Sequence, residues 1–171
     1  MRYTAPLVCL LFWGCGPRQS PTVISTPRPQ PSSTPFPVSG ELSGAKTVLS
    51  DGKGNRLLEL TGLRAALAPG ATEATLEGTR AVLYKVGKPV LTIIAKNVRV
   101  EANSHKLTAE GSVSAQTTDG RTVRCDTLIW RPETNQVDGK GKVAFLAGSN
   151  FALYGSRFTA DTLLQTLKIL P

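Results

Sequence analysis

Few side chains in this 171-residue chain are of a type that does acid–base or covalent chemistry. The single histidine, His105, sits in Asn103-Ser104-His105-Lys106, a turn-like run in which a solvated imidazole is the simplest reading. Cys125 with His105 would make a thiol–imidazole pair on paper. Yet Cys125 occupies a slot that recurs along the chain and is elsewhere Gly or Ala, which marks it as a small core residue. Asp126 and Asp161 stand in matching contexts, Cys125-Asp126-Thr127-Leu128 and Ala160-Asp161-Thr162-Leu163. An acid just after a small residue reads as an acceptor for nearby backbone N–H groups at a corner, not as half of a catalytic pair. The sequence holds no metal-ligand spacing, no nucleophile elbow and no phosphate-binding glycine loop. These absences argue against an enzyme, and nothing calls for a cofactor or metal.

Two other cysteines lie in a different kind of segment. Met1-Arg2 is followed by an apolar run from Ala5 to Trp13 and then by Gly14-Cys15. The run is far shorter than the roughly 20 residues of a membrane-spanning helix. It fits the apolar region of a signal peptide over residues 1–14. A small residue directly before Cys15 resembles a bacterial lipobox, which makes Cys15 the expected lipidation site. Phe12 and Trp13 are bulkier than such a site usually carries, and the other readings are a short uncleaved anchor or a start assigned to the wrong codon. With Cys9 removed and Cys15 acylated, Cys125 is the one thiol left, so no internal disulfide forms. Residues 17–38 are dense in Pro, Ser and Thr. Proline fixes φ and removes backbone donors, so this stretch reads as a tether within a 15–40 linker, rising about 3.1 Å per residue where it is polyproline-like.

The net charge is +8, from 20 Lys and Arg against 12 Asp and Glu. Arg2, Arg18 and Arg28 lie in the first forty residues, which hold no acid, and the remainder carries +5. A field of that size attracts phosphate-bearing partners or simply keeps the surface soluble. Aromatic residues are only 6% of the chain, which argues against a stacking surface for nucleic acid.

From Gly40 onward the pattern changes to short apolar stretches separated by turn residues. Turn signals fall at Asp51-Gly52, Gly54-Asn55, Pro69-Gly70, Gly87-Lys88-Pro89, Asn103-Ser104, Asp119-Gly120, 131–135, 139–141 and 148–150. This spacing predicts many short antiparallel strands, with 162–170 read as the last. A loose repeat runs through them: apolar, x, small, x, x, apolar, x, apolar or long. It reads Leu60-x-Gly62-x-x-Ala65-x-Leu67, Leu76-x-Gly78-x-x-Ala81-x-Leu83, Ile93-x-Ala95-x-x-Val98-x-Val100, Val123-x-Cys125-x-x-Leu128-x-Trp130 and Phe158-x-Ala160-x-x-Leu163-x-Gln165. A second echo is Gly111-Ser112-Val113 and Gly141-Lys142-Val143. A strand keeps i and i+2 on one face, so a step of three demands a bend or bulge after the small residue.

The ordered series over 41–170 resembles the LptC family of lipopolysaccharide-export proteins and, more broadly, the OstA/LptA-like β-jelly-roll. The carrying segments are Ala81-Val82-Leu83-Tyr84 with Gly87, Leu107-Thr108-Ala109-Glu110-Gly111-Ser112-Val113, Asp119-Gly120 through Cys125-Asp126, Leu128-Ile129-Trp130, Gly141-Lys142-Val143 and Leu153-Tyr154-Gly155 through Ala160-Asp161. The resemblance implies an all-β fold over 41–171: a twisted, open antiparallel jelly roll behind the anchor and tether. It implies a lumen that holds the acyl chains of lipopolysaccharide. Expected lumen residues are Ile93, Val98, Val100, Val113, Val123, Leu128, Trp130, Phe145, Leu153 and Phe158, with Arg99, Arg124 or Arg157 near lipid phosphates. Implied partners are an inner-membrane ABC transporter at one open edge and an LptA-like periplasmic protein at the other. The implied location is the periplasm, anchored to the inner membrane through Cys15; family members usually carry an N-terminal transmembrane helix instead, and Gly16 leaves the outer membrane open. The competing reading is a scaffolding envelope lipoprotein that stacks through the same open edges.

Overall fold

The computed structural model describes residues 40–67, 72–148 and 151–171. The expected signal peptide, Cys15 and the Pro-rich tether lie outside them. The described residues form nine strands: β1 (Gly40–Ser50), β2 (Arg56–Leu67), β3 (Glu73–Lys85), β4 (Lys88–Glu101), β5 (Leu107–Thr117), β6 (Thr122–Arg131), β7 (Gln136–Ala147), β8 (Phe151–Asp161) and β9 (Leu167–Leu170). They pair antiparallel in chain order as one sheet. Among the described residues β1 and β9 each pair on one side, so the sheet is open, as the resemblance implies.

One face of the sheet is apolar and buried. Leu58, Ala81, Leu83, Ile93, Val98, Leu107, Ala109, Ala115, Val123, Leu128 and Val137 are fully shielded from solvent. No helix or second sheet is available among the described residues to cover them. The sheet therefore bends so that the two halves of its apolar face cover each other. Burying one such side chain contributes about 1.5–3 kcal/mol, and this is the main force holding the bend.

The bend is built where the sequence breaks its alternation. On β2, β4 and β6 the inward positions step by three, at Gly62 to Ala65, Ala95 to Val98 and Cys125 to Leu128. On β5 and β7 they step by four, at Ala109 to Val113 and Gly139 to Val143. Between Ile94 and Asn97 on β4, three steps face four on β5, from Ser114 to Glu110, and β6 and β7 repeat this at Arg124 to Thr127. The extra residue on each odd strand is a bulge. Its backbone turns left-handed at Gly111-Ser112 (φ 82 and 54°) and Gly141-Lys142 (φ 78 and 45°), which is why each bulge opens on glycine. The Gly-x-Val echo is thus the bulge itself, and 139–141 lies inside β7 instead of forming a turn.

Three other details depart from the pattern. Gly78 is exposed at φ 54°, and Thr79 takes the inward slot beside it. The last repeat lies five residues earlier than the pattern suggests, at Leu153-x-Gly155-x-x-Phe158-x-Ala160 on β8, with Phe158 and Ala160 buried. Residues 162–166 form a loop, so only β9 of the predicted final strand is extended. Leu164 of that loop has φ 51° and is buried among the apolar side chains.

Candidate functional site

Nine of the ten expected lumen residues lie on the buried face: Ile93, Val98, Val100, Val113, Val123, Leu128, Trp130, Phe145 and Phe158. They are at most 5% exposed, so their own side chains fill the middle of the roll. Except at Val100, which also floors the groove described below, a ligand reaches them only if the two halves part. Leu153 is different. It is 40% exposed on the first half of β8, beside Phe151, which is 51% exposed and meets the ring of Phe145 edge-on at 6.3 Å between centroids.

The apolar face opens at the β1 side. There β1, the first strand, has no neighbour on its outer edge among the described residues, and its inward positions Ala45, Thr47 and Leu49 are small or half-covered. A groove of about 100 Å³ runs beneath them, floored by Leu60, Ala65, Leu76 and Val100 and reached past Leu42. Its lining is almost wholly aliphatic. Lys46 stands at the rim, with Nζ 3.0 Å from Glu59 Oε1. That contact, first through a hydrogen bond from Lys46, holds the Glu59 carboxyl below its ordinary range. Such a lining has the chemistry to cover hydrocarbon, for which each buried methylene contributes about 0.8 kcal/mol. Its lining holds no Asp, Glu, His, Cys or Ser.

The sequence singled out Val100 of this floor as a lumen residue, and Leu60, Ala65 and Leu76 only as repeat positions. The groove itself was illegible, because it exists where β1 fails to cover the face as completely as β3 to β7 do.

The cationic candidates do not line the apolar face. Arg99 pairs with Glu73 at 3.6 Å. Arg124 lies opposite Ser114 and Ala144, and Arg157 opposite Lys140, all on the outer side of the sheet. The groups named for chemistry are also dispersed. His105 sits in the connection between β4 and β5 at φ 52°. Cys125 is buried at the bend of β6, where desolvation, with the nearby Asp126 charge, pushes its thiol up to about 12. A thiol so poorly ionised is a weak nucleophile. Asp161 does cap a corner: its Oδ1 accepts from Gln165 N at 2.7 Å and Thr166 N at 2.9 Å. Asp126 instead fills the space beside Gly141, where a β-carbon would strike it. No cluster of three or more His, Cys, Asp or Glu capable of holding a metal occurs among the described residues. Among those residues, too, no helix is long and apolar enough to cross a membrane.

Comparison with known proteins agrees with this geometry. The family model described as lipopolysaccharide-assembly, LptC-related, matches residues 8–171. Among solved structures, the chain is similar to LptH, the LptA homologous periplasmic component of the conserved lipopolysaccharide transport device from Pseudomonas aeruginosa. The TM-score is 0.55 at 12% identity, covering 66% of this chain and 80% of that one. At that identity the likeness speaks for the fold. No curated protein matches the sequence.

Proposed function

This chain belongs to the LptC-related family of lipopolysaccharide-assembly proteins, and from that premise we propose that it is a periplasmic link in lipopolysaccharide export whose β1-side groove takes the lipid's acyl chains. Membership of the family supports a role in lipopolysaccharide transport. The observation that carries the finer reading is the aliphatic groove between Leu49, Leu60, Ala65 and Leu76, continuous with the buried face and open to solvent. In this reading lipid arrives from an inner-membrane ABC transporter and leaves to an LptA-like bridge protein. The unpaired edges of the sheet join those partners by strand addition. Cys15 carries the anchor that keeps the domain at the inner membrane. Transfer along a hydrocarbon-lined path needs no catalytic group in this chain.

The test is a photo-crosslinking amino acid at Leu49 or Ala74, on the groove, with Lys53 in the exposed β1–β2 connection as control. A lipopolysaccharide adduct at the groove positions, absent at Lys53, is expected in cells. If the exported, folded protein gives no adduct at either groove position and forms concentration-dependent oligomers, the scaffold reading replaces this one.

A further inference from the structure

The connection between β8 and β9, residues 162–166, is organised far beyond what joining two strands requires. Asp161 closes it on itself: Asp161 N donates to Thr166 O at 3.1 Å, and Leu164 N donates to Asp161 O at 2.9 Å. Together with the two bonds to Asp161 Oδ1 described above, these make a rigid turn. Thr162 ties it to the β6–β7 connection, with both N and Oγ1 donating to Asn135 O at 3.2 and 3.1 Å. The turn holds Leu164 in a left-handed backbone that a leucine adopts only at a cost, and that backbone drives the side chain inward until 2% of the residue is exposed.

One more bond gives the loop its meaning. Arg121 Nη1 donates to Leu163 O at 3.2 Å. Arg121 belongs to the β5–β6 connection. In a meander of nine strands the odd-numbered connections lie at one end of the strands and the even-numbered ones at the other. The β5–β6 and β8–β9 connections are therefore at opposite ends, and this bond spans the bend and joins the two halves directly. Arg121 is itself held in place: its N donates to Thr117 Oγ1 at 3.0 Å, and its guanidinium lies 3.3 Å from Asp119 Oδ2. The long guanidinium reaches across with a single bond, partly exposed to water, whereas the strands on either side are joined by ladders of many backbone bonds.

We propose that residues 162–166 form a releasable clasp, latched by Arg121 and stoppered by Leu164, that keeps the two halves of the roll shut and must open before a chain can pass from the β1-side groove into the filled interior. The last clause rests on the acyl-chain reading above; the clasp itself does not. The contact is suited to release because it is one bond between side chain and carbonyl, so breaking it exposes no ladder. Opening there frees a path toward Phe151 and Leu153, the other place where the apolar face is exposed.

Cys125 reports the opening, since it is buried at the bend of β6, four residues from Arg121. In the full-length protein, maleimide labelling is followed by mass spectrometry on the tryptic peptide 125–140, which separates it from Cys9 and Cys15. Arg121→Gln and, independently, Leu164→Ala are expected to speed labelling about tenfold or more, the equilibrium worth of one charge-assisted hydrogen bond in the first and of a truncated buried leucine in the second. The increase should persist unchanged in low urea, as local opening does. Labelling at the wild-type rate in Arg121→Gln, or an increase that grows with urea along the global unfolding transition, overturns the clasp. Titration with cis-parinaric acid, a fluorescent fatty acid, separates the two ideas. Faster labelling without parinarate binding leaves the clasp and removes the acyl-chain reading. Equal parinarate binding to both proteins with unchanged labelling does the reverse.

Discussion

The ring of Phe158 on β8 occupies the space that a side chain at Gly139, its partner on β7, would need. A β-carbon built on Gly139 falls inside the van der Waals envelope of Cδ1, Cε1 and Cζ. The two residues are one unit of packing: the larger fills the smaller's vacancy, and Phe158 is 2% exposed as a result.

Gly139→Ala is therefore expected to destabilise the domain by about 1–3 kcal/mol through overpacking alone, since Gly139 is not among the positive-φ glycines. Adding Phe158→Leu to Gly139→Ala should cost less than the two single changes summed. Urea midpoints for the four proteins of the cycle test this; strict additivity would show that the two sites are independent.

Thr79 is 1% exposed, and its Oγ1 has no hydrogen-bond partner. A buried hydroxyl without a partner costs about 1–3 kcal/mol. Thr79→Val keeps the shape and suits a strand, so it should raise stability by about 1 kcal/mol. A fall in the urea midpoint would mean that the hydroxyl is satisfied in solution.

The bulge on β7 separates glycine's two uses. Gly141 has φ 78° and abuts Asp126, whereas Lys142 holds a left-handed backbone with an exposed side chain. Gly141→Ala should destabilise by about 1–2 kcal/mol or more, and Lys142→Gly should be neutral or stabilising. The opposite ranking in thermal unfolding would remove the bulge's backbone as the cause.

Several surface carboxylates are held below their ordinary range. Glu101 is lowered first by its hydrogen bond from Lys106 and then by that from Ser104; Asp119 by Thr117; Asp51 by Asn55. Each folded-state value lies below the unfolded one, so each contribution is complete above about pH 4–5 and is lost as pH falls through the folded value. The urea midpoint should be flat with respect to these groups from pH 8 to 5 and decline below about pH 4. Glu101→Gln and Asp119→Asn should each flatten that decline. An unchanged acid limb in both variants would show that the bonds are absent in solution.

Much of this architecture is written in local sequence. Period-two alternation sets which side chains share a face, Gly, Asn and Asp mark most connections, and the step of three at Cys125 to Leu128 announces a bend, because each depends on a few neighbouring dihedrals. Val86 shows the limit of that reading. It takes the first left-handed position of a two-residue turn with Gly87, one residue before the position that glycine and proline suggest, because the pairing of Lys85 with Lys88 sets the loop length. The last apolar run shows it again: Leu164 has the sequence character of a strand residue and becomes a stopper, in a loop whose Thr162 and Leu163 are held by Asn135 and Arg121 from distant connections. Whether Ile93, Val98 and Leu128 line a space or fill one was likewise beyond the sequence. That depends on how closely the two halves approach, and the approach is the sum of bulges on several strands and of packing between residues far apart in the chain. Alternation is a property of one strand, whereas closure belongs to the whole sheet, and so the face was determined by the sequence itself and its opening at β1 only by the tertiary structure.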